Sequence, residues 1–305
     1  MRLGMIGLGR MGANMTRRLR GGGIGVVGFD SDSATMQLLA DECGMSPARS
    51  LEELVAQLEA PRVVWLMLPS GEVTEQAIEQ VTALLSPGDI LVDGANSNFN
   101  DSMRRAALLA EQQLEFIDAG VSGGVWGLQE GYALMVGGTP QAVETVRPVF
   151  EVLAPAADRG WMHCGPAGSG HYVKMVHNGI EYGMMQAYAE GFALMKSRED
   201  FSLDLAKIAE TWRHGSVVRS WLLDLTADFL ADDQQLDGIE PFVADSGEGR
   251  WTAIEAIEQG VPTPVMSTAI MMRFASQGQA DYGAKLLAMM RKGFGGHALK
   301  DAGKS

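Results

Sequence analysis

Lys174, His177, Asn178, Glu181 and Tyr182 stand among Val173, Met175, Val176 and Ile180 in the stretch 168–183. At the angular step of a helix these five polar positions fall within an arc of roughly 140° and form one polar face. A helix with apolar residues on its other sides is expected to be buried, its polar face lining a cavity or making paired contacts. A lysine in such surroundings loses hydration of its ammonium, which lowers its pKa. Its neutral amine can then accept a hydroxyl proton near neutral pH. Glu181, two turns along, can serve as an acid. A solvated polar stripe has the same pattern, so the helix by itself leaves both readings open. Gly179 and Gly183 lower helix propensity and predict close approach of another backbone or of a ligand.

A second constellation lies at the start of the chain. Gly7, Gly9 and Gly12 form G-x-G-x-x-G between a short apolar strand and a helix, where small residues permit a tight turn and close approach of a pyrophosphate. Asp30 follows eighteen residues after Gly12, at the end of a second strand. Its carboxylate can accept hydrogen bonds from both adenosine ribose hydroxyls and would repel a 2′-phosphate, so NAD is expected over NADP. Asp32 competes for this role, and Asp30 as a plain strand-end turn residue is the alternative. Met67, Leu68, Pro69, Ser70 and Gly71 end a later strand and are expected over the dinucleotide, although turn chemistry explains Pro69 and Gly71 equally well.

The elements that must position these residues alternate through the first half. Apolar runs at 2–7, 24–29, 62–68, 89–92, 116–117 and 132–136 are separated by helical stretches such as 10–20, 72–85 and 101–113. Such alternation predicts an α/β Rossmann domain with a doubly wound, mostly parallel sheet. From Gly168 the pattern is helical, first through about Lys196, then at 203–213, 220–230 and 251–259. Two domains are expected: 1–165, dinucleotide-binding, and 166–305, all-helical, for substrate and oligomerisation.

Composition narrows the class. With 305 residues, 46% hydrophobic and 20% charged, the chain can bury a sizeable core and is not of the disordered type. No apolar run suggests a membrane span, and the N-terminal residues read as strand and turn, so a cytoplasmic location is expected. Cys43 and Cys164 provide neither a disulfide framework nor a zinc spacing, and no metal is expected. A formal net charge of -14 argues against nucleic acid as a partner. Arg291, Lys292, Lys300 and Lys304 against Asp301 make one local basic stretch, either a solvated tail or a site for an anionic metabolite.

Six motifs carry a resemblance spanning nearly the whole chain: Gly7-Leu-Gly-Arg-Met-Gly12, Asp93-Gly-Ala-Asn-Ser97, Asp118-Ala-Gly-Val-Ser-Gly-Gly124, the helix 174–182, Gly249-Arg-Trp-Thr252 and Phe294-Gly-Gly-His297. The sequence resembles the β-hydroxyacid dehydrogenases and, within them, the short, NAD-type form of the decarboxylating 6-phosphogluconate dehydrogenases. The first and third motifs are shared across the wider family, and His177-Asn-Gly-Ile-Glu-Tyr182 points to the phosphogluconate branch. The resemblance implies that Lys174 removes the 3-hydroxyl proton during hydride transfer and, once protonated, stabilises the developing enolate. Glu181 then protonates C1 of the enediol to give ribulose 5-phosphate. It implies Asn178 as a further catalytic residue, with Asn96, Ser122, Gly123, Gly124, His177 and Asn178 holding the carboxylate and hydroxyls. Tyr182 and Arg273 bind the phosphate. Gly7, Leu8, Gly9, Met11, Gly12, Asp30, Leu68, Pro69 and Asn96 line the NAD site by the same resemblance. It further implies a homo-oligomer, dimer or tetramer, in which Arg291 and His297 of a partner's tail complete the pocket, and a place in gluconate and pentose phosphate metabolism. A phosphate-binding Lys of the long form falls on Ser246, with Arg250 or Lys292 as candidate substitutes. Two other readings compete: a 3-hydroxyisobutyrate or tartronate semialdehyde dehydrogenase, which needs no Glu181-Tyr182 pair, and a dinucleotide sensor without catalysis.

Overall fold

The computed structural model describes residues 1–295 and residue 299. In its first part, strands and helices alternate: β1 (Arg2–Ile6), α1 (Arg10–Gly21), β2 (Gly25–Phe29), α2 (Ser33–Cys43), β3 (Ser46–Pro47), α3 (Leu51–Ala56), β4 (Val63–Leu66), α4 (Glu72–Thr82), β5 (Ile90–Asp93), α5 (Phe99–Ala110), β6 (Glu115–Ser122), α6 (Gly127–Glu130), β7 (Ala133–Gly138), α7 (Pro140–Leu153) and β8 (Trp161–Gly165). Helices alone follow: α8 (Ser169–Lys196), α9 (Leu205–Arg213), α10 (Trp221–Asp232), α11 (Glu248–Glu258), α12 (Pro264–Ser276) and α13 (Asp281–Gly295). This is the expected class, a Rossmann-type sheet followed by a helical region.

The strands form one sheet in the order β3-β2-β1-β4-β5-β6-β7-β8. All neighbours are parallel except β6 and β7. β4 and β5 are buried at every position, because helices cover both faces of a parallel sheet and leave no solvated side to alternate with. Leu3, Met5, Trp65, Val92 and Phe150 belong to the core on one face, and Ile6, Val64, Leu66, Leu91 and Phe116 to the core on the other. The chain turns outward from β1 to β2 and β3, then returns to β4 on the opposite side of β1. Ligands of such sheets sit beyond the carboxyl ends of the strands at this reversal.

β6 runs well past the apolar pair 116–117 because Asp118 and Gly120 lie under the start of α8 instead of interrupting the strand. β8 is an additional edge strand; Trp161-Met-His-Cys-Gly165 is partly exposed throughout and has neither an apolar run nor a clean alternation.

Two compact units divide inside α8, Met1–Met175 and Val176–Ser305. The first turns of the helix pack against the sheet and so belong to the first unit, whereas a division at 165/166 marks the end of β8. α8 also differs from the buried helix expected of its pattern. Lys174, Asn178 and Tyr182, every fourth residue, are 7%, 8% and 6% exposed, while the apolar Val173, Ile180 and Met184 are 38%, 52% and 38% exposed. The polar row is thus the inward one.

In the second unit, Phe192 of α8 packs with Leu205 and Ala209 of α9 and with Leu223, Ala227 and Leu230 of α10. Tyr182 packs with Ala269 and Ile270 of α12. Residues 278–292 are exposed without exception, although Tyr282, Leu286, Met289 and Met290 share one face of α13. Among the described residues no helix is long and apolar enough to cross a membrane.

Candidate active site

The turn after β1 is shaped by its glycines. Gly7 has φ +89°, and a side-chain carbon there would meet Met67 O at 2.4 Å; one at Gly12 would meet Gly7 O at 2.0 Å. Gly9 faces open space and caps α1, whose first turn carries no acidic residue. This leaves a helix N-terminus with donors and dipole directed outward, a setting suited to an anion. Asp30 extends this turn: Oδ2 accepts from Leu8 N at 2.6 Å and Oδ1 from Asp32 N at 2.9 Å. Asp32 has another job. It caps α2, and the Thr35 hydroxyl (2.7 Å) and Ala34 N–H (2.9 Å) donated to it hold its carboxyl below the usual carboxylate range. Leu68 lies against Gly7, and Pro69 O accepts from Thr74 Oγ1 at 2.8 Å, so the turn after β4 is tied to α4 beside the glycine turn. Met11 packs on the core under α1. An open helix N-terminus, a glycine cradle and a carboxylate fixed by backbone at the end of β2 together fit a dinucleotide.

Asn96 sits exposed on the turn after β5, and a buried network holds that turn. Asp93 accepts from Ala95 N at 3.0 Å, Ser97 Oγ at 2.8 Å and Arg105 Nη1 at 2.6 Å, with Asp93 and Arg105 almost wholly buried. Arg105 also donates to Glu75 Oε1 at 2.6 Å, linking α5 to α4. Burial works to raise the Glu75 pKa, but hydrogen bonds from Arg105 and Arg104 outweigh it and leave the carboxyl below its ordinary value. Sequence reasoning missed this network, because Asp93, Arg105 and Glu75 are spread over three elements and share no local spacing.

Ser122 ends β6, and Gly123 and Gly124 follow with φ +134° and +51°. Tyr132 lies beneath: a side-chain carbon at Gly127 would meet its ring at 2.0 Å, and burial pushes its hydroxyl up to about 12. Lys174 of α8 packs over β6, its Cβ 2.4 Å from where a side-chain carbon at Gly120 would stand.

In the second unit, His177 Nδ1 and Asn178 Oδ1 are 3.0 Å apart, and Glu181 Oε2 is 4.0 Å from the same nitrogen. The side chains of His177 and Glu181 are about two-fifths exposed, so the five polar residues split into an inward row and an outer pair. Arg273 stacks over the Tyr182 ring at 3.4 Å and donates to Ala244 O at 2.8 Å, which brings these two expected phosphate ligands together. Ser246 donates to buried Glu248 at 2.6 Å, so the Tyr182 hydroxyl, 3.2 Å away, donates to Ser246. Arg250, the candidate substitute cation, binds Asp245 at 2.6 Å and covers Phe274. The close approaches at Gly179 and Gly183 are to side chains, Thr252 of α11 and Val265 of α12, and not to another backbone. Gly249 is required where the Tyr182 ring packs at 2.3 Å from its missing side chain. Arg291 is exposed on α13, and His297 lies outside the described residues.

Residues 2–165 match the NAD binding domain of 6-phosphogluconate dehydrogenase, and residues 170–302 match the 6-phosphogluconate dehydrogenase C-terminal domain. A Haloferax volcanii protein named 6-phosphogluconate dehydrogenase, NAD(+)-dependent, decarboxylating, is 41% identical over 98% of this chain and 98% of its own. This chain belongs to the 6-phosphogluconate dehydrogenase family. A solved family structure, Plasmodium falciparum 6-phosphogluconate dehydrogenase, described with its cofactor NADP+ and its substrate 6-phosphogluconate, aligns at TM-score 0.84 and 30% identity, covering 100% of this chain and 67% of the other. Mycobacterium tuberculosis 3-hydroxyisobutyrate dehydrogenase aligns at TM-score 0.71 and 28% identity over 92% of this chain and 94% of its own. As a 6-phosphogluconate dehydrogenase family member, the chain carries matches over both the sheet and the helical region.

Proposed function

We propose that this protein oxidatively decarboxylates 6-phosphogluconate to ribulose 5-phosphate and CO2 with NAD. NAD, when bound, accepts the hydride from C3 of the substrate. Lys174 Nζ takes the proton from O3. As an ammonium it then hydrogen-bonds the C3 ketone while the C1–C2 bond breaks, its electron pair moving into C2–C3 as CO2 leaves. Glu181 returns a proton to the carbon that lost CO2. Asn96, Ser122, Gly123, Gly124, His177 and Asn178 hold carboxylate and hydroxyls, and Tyr182 and Arg273 hold the phosphate, for which the Tyr182 proton must leave Ser246. A partner's Arg291 and His297 close the site in a dimer or tetramer, and the protein works in the cytoplasm. Residues 1–165 serve the dinucleotide, and 166–305 serve substrate and assembly.

The observation that carries this reading is Arg273 stacked on Tyr182, on the same helix as buried Lys174. A small substrate such as 3-hydroxyisobutyrate gives that cation no partner. The preference for NAD rests on Asp30, whose hydrogen-bond partners among the described residues are backbone N–H groups and the Ser31 hydroxyl and not an Arg or Lys. Initial rates at 340 nm with 6-phosphogluconate and 3-hydroxyisobutyrate, each with both dinucleotides, test the proposal. Turnover of 6-phosphogluconate with NAD should dominate, and faster turnover of 3-hydroxyisobutyrate would refute it.

A further inference from the structure

Asp118 is wholly buried in β6 and is met by the N-terminus of α8. Oδ1 accepts from Gly168 N at 2.7 Å and Oδ2 from His171 N at 2.8 Å. The first helical bond runs from Tyr172 N to Gly168 O at 2.9 Å, which makes Gly168 the cap residue and His171 the third residue of the helix. These are the two N–H groups that a capping box satisfies from within the helix. Gly168, with φ +94°, has no side chain to do so. One carboxylate on a neighbouring strand does both. Ser102 of α5 holds the same turn through a 2.7 Å hydrogen bond between its hydroxyl and His171 Nδ1.

Three glycines set the depth of the crossing. A side-chain carbon at Gly170 would lie 2.5 Å from both Asp118 O and Met135 O, and one at Gly137 would lie 2.4 Å from Asp118 Oδ1. Lys174 follows Gly170 by one turn on the same face, and its Cβ would be 2.4 Å from a side-chain carbon at the third glycine, Gly120. Asp118, Gly120 and Ser122 point to one side of β6, since alternate residues of a strand share a face. Along a single strand the chain therefore places the anchor of α8, the gap that admits the lysine stem and the start of the 122–124 turn. A slide of α8 by one residue, about 1.5 Å, would break both Asp118 hydrogen bonds.

We propose that Asp118 is a positioning residue for the reaction: by capping α8 from β6 it fixes Lys174 against the 122–124 turn. The inference rests on Lys174 being the base. Asp118→Asn keeps the shape but replaces one acceptor with a donor facing an N–H group. Displacement of a reacting group by about an ångström costs on the order of a hundredfold, so kcat should fall by about that factor. KM for 6-phosphogluconate and NADH binding should stay within about threefold, since neither needs Lys174 placed for reaction. The isotope effect on kcat with substrate deuterated at C3 should rise, because the displaced base slows the oxidation step. A purely structural role would reduce the number of NADH-binding sites and leave kcat per site and the isotope effect unchanged. Gly120→Ala pushes on Lys174 without touching the carboxylate and should give the same signature; if Asp118→Asn does not fold, Gly120→Ala decides. An active Lys174→Met variant would remove the underlying reading. An inactive Lys174→Met beside Asp118→Asn and Gly120→Ala variants with wild-type kcat per site would overturn the positioning role alone.

Discussion

On the proposed role of Asp30 in selecting NAD, replacing it by Ser should bring the two dinucleotides to near indifference. The carboxylate is pinned by Leu8 N at 2.6 Å and Asp32 N at 2.9 Å, so it cannot swing away from an incoming 2′-phosphate. Two like charges about 4 Å apart near a protein surface repel by roughly 4 kcal/mol at an effective dielectric of about 20, and salt reduces this. A ribose hydroxyl bound to a carboxylate contributes about 1.5 to 3 kcal/mol to NAD alone. Taking about half of the repulsion, the two effects sum to about 3.5 to 5 kcal/mol, which is between a few hundredfold and a few thousandfold in the ratio of kcat/KM values for NAD and NADP. Loss of the Leu8 hydrogen bond weakens the turn for both dinucleotides and cancels in the ratio. Asp32→Asn is the control: Asp32 caps α2, so its removal should leave the ratio alone. The measurement is initial rate against dinucleotide concentration at saturating 6-phosphogluconate. A ratio within threefold of wild type in Asp30→Ser, or a large shift in Asp32→Asn, would refute the reasoning.

Lys174→Met should lower kcat at least a thousandfold while the Kd for NAD, measured by fluorescence titration, barely moves; retention of a tenth of wild-type turnover would assign the base elsewhere. Glu75 has a folded pKa below its ordinary 4.5, so its contribution to stability is present above that value and lost as pH falls through the folded one. Glu75→Gln should therefore lower Tm at pH 7, and its gap from wild type should close as pH falls below about 4.5; a gap that is the same at both ends speaks against the Arg105 and Arg104 interactions. Arg291→Ala should raise KM for 6-phosphogluconate roughly ten- to a hundredfold, the worth of a charge-assisted contact of about 1.5 to 3 kcal/mol. Mixing it with Lys174→Met subunits should restore activity, since one site of a mixed oligomer carries neither lesion; no recovery after verified exchange rules out a shared site.

The glycine turn, Asp30 and the alternation of strands and helices were legible because each is a local pattern. The row Lys174, Asn178 and Tyr182 was legible as a face, but its direction was not: periodicity identifies which residues share a side, not which side turns inward, and here Ile180 and Val173 face out. β6 was seen only as its apolar pair, since Asp118 and Gly120 look like strand breakers until α8 is laid across them. Ser246 was legible as a missing cation, whereas its bond to Glu248 and the pairing of Arg250 with Asp245 depend on how residues 244–250 enter α11. Asp93, Arg105 and Glu75 meet only after α4 and α5 are placed beside β5.

The crossing of α8 over β6 and β7 also bears on how this scaffold can change. At Gly120, Gly137 and Gly170 the smallest possible addition, a methyl group, already overlaps a neighbour at 2.4 to 2.5 Å. Any single substitution there forces a neighbour to shift, so the position of Lys174 over β6 is inherited as a unit. Ser246 and Arg291 stand differently, one hydrogen-bonded to Tyr182 and Glu248, the other exposed. Under the proposed function, substrate scope and reactive geometry are thereby separable traits. On that proposal, a library seeking a new acid substrate should gain more from varying Ser246 and Arg291 than from varying the three glycines, where each change displaces a neighbour.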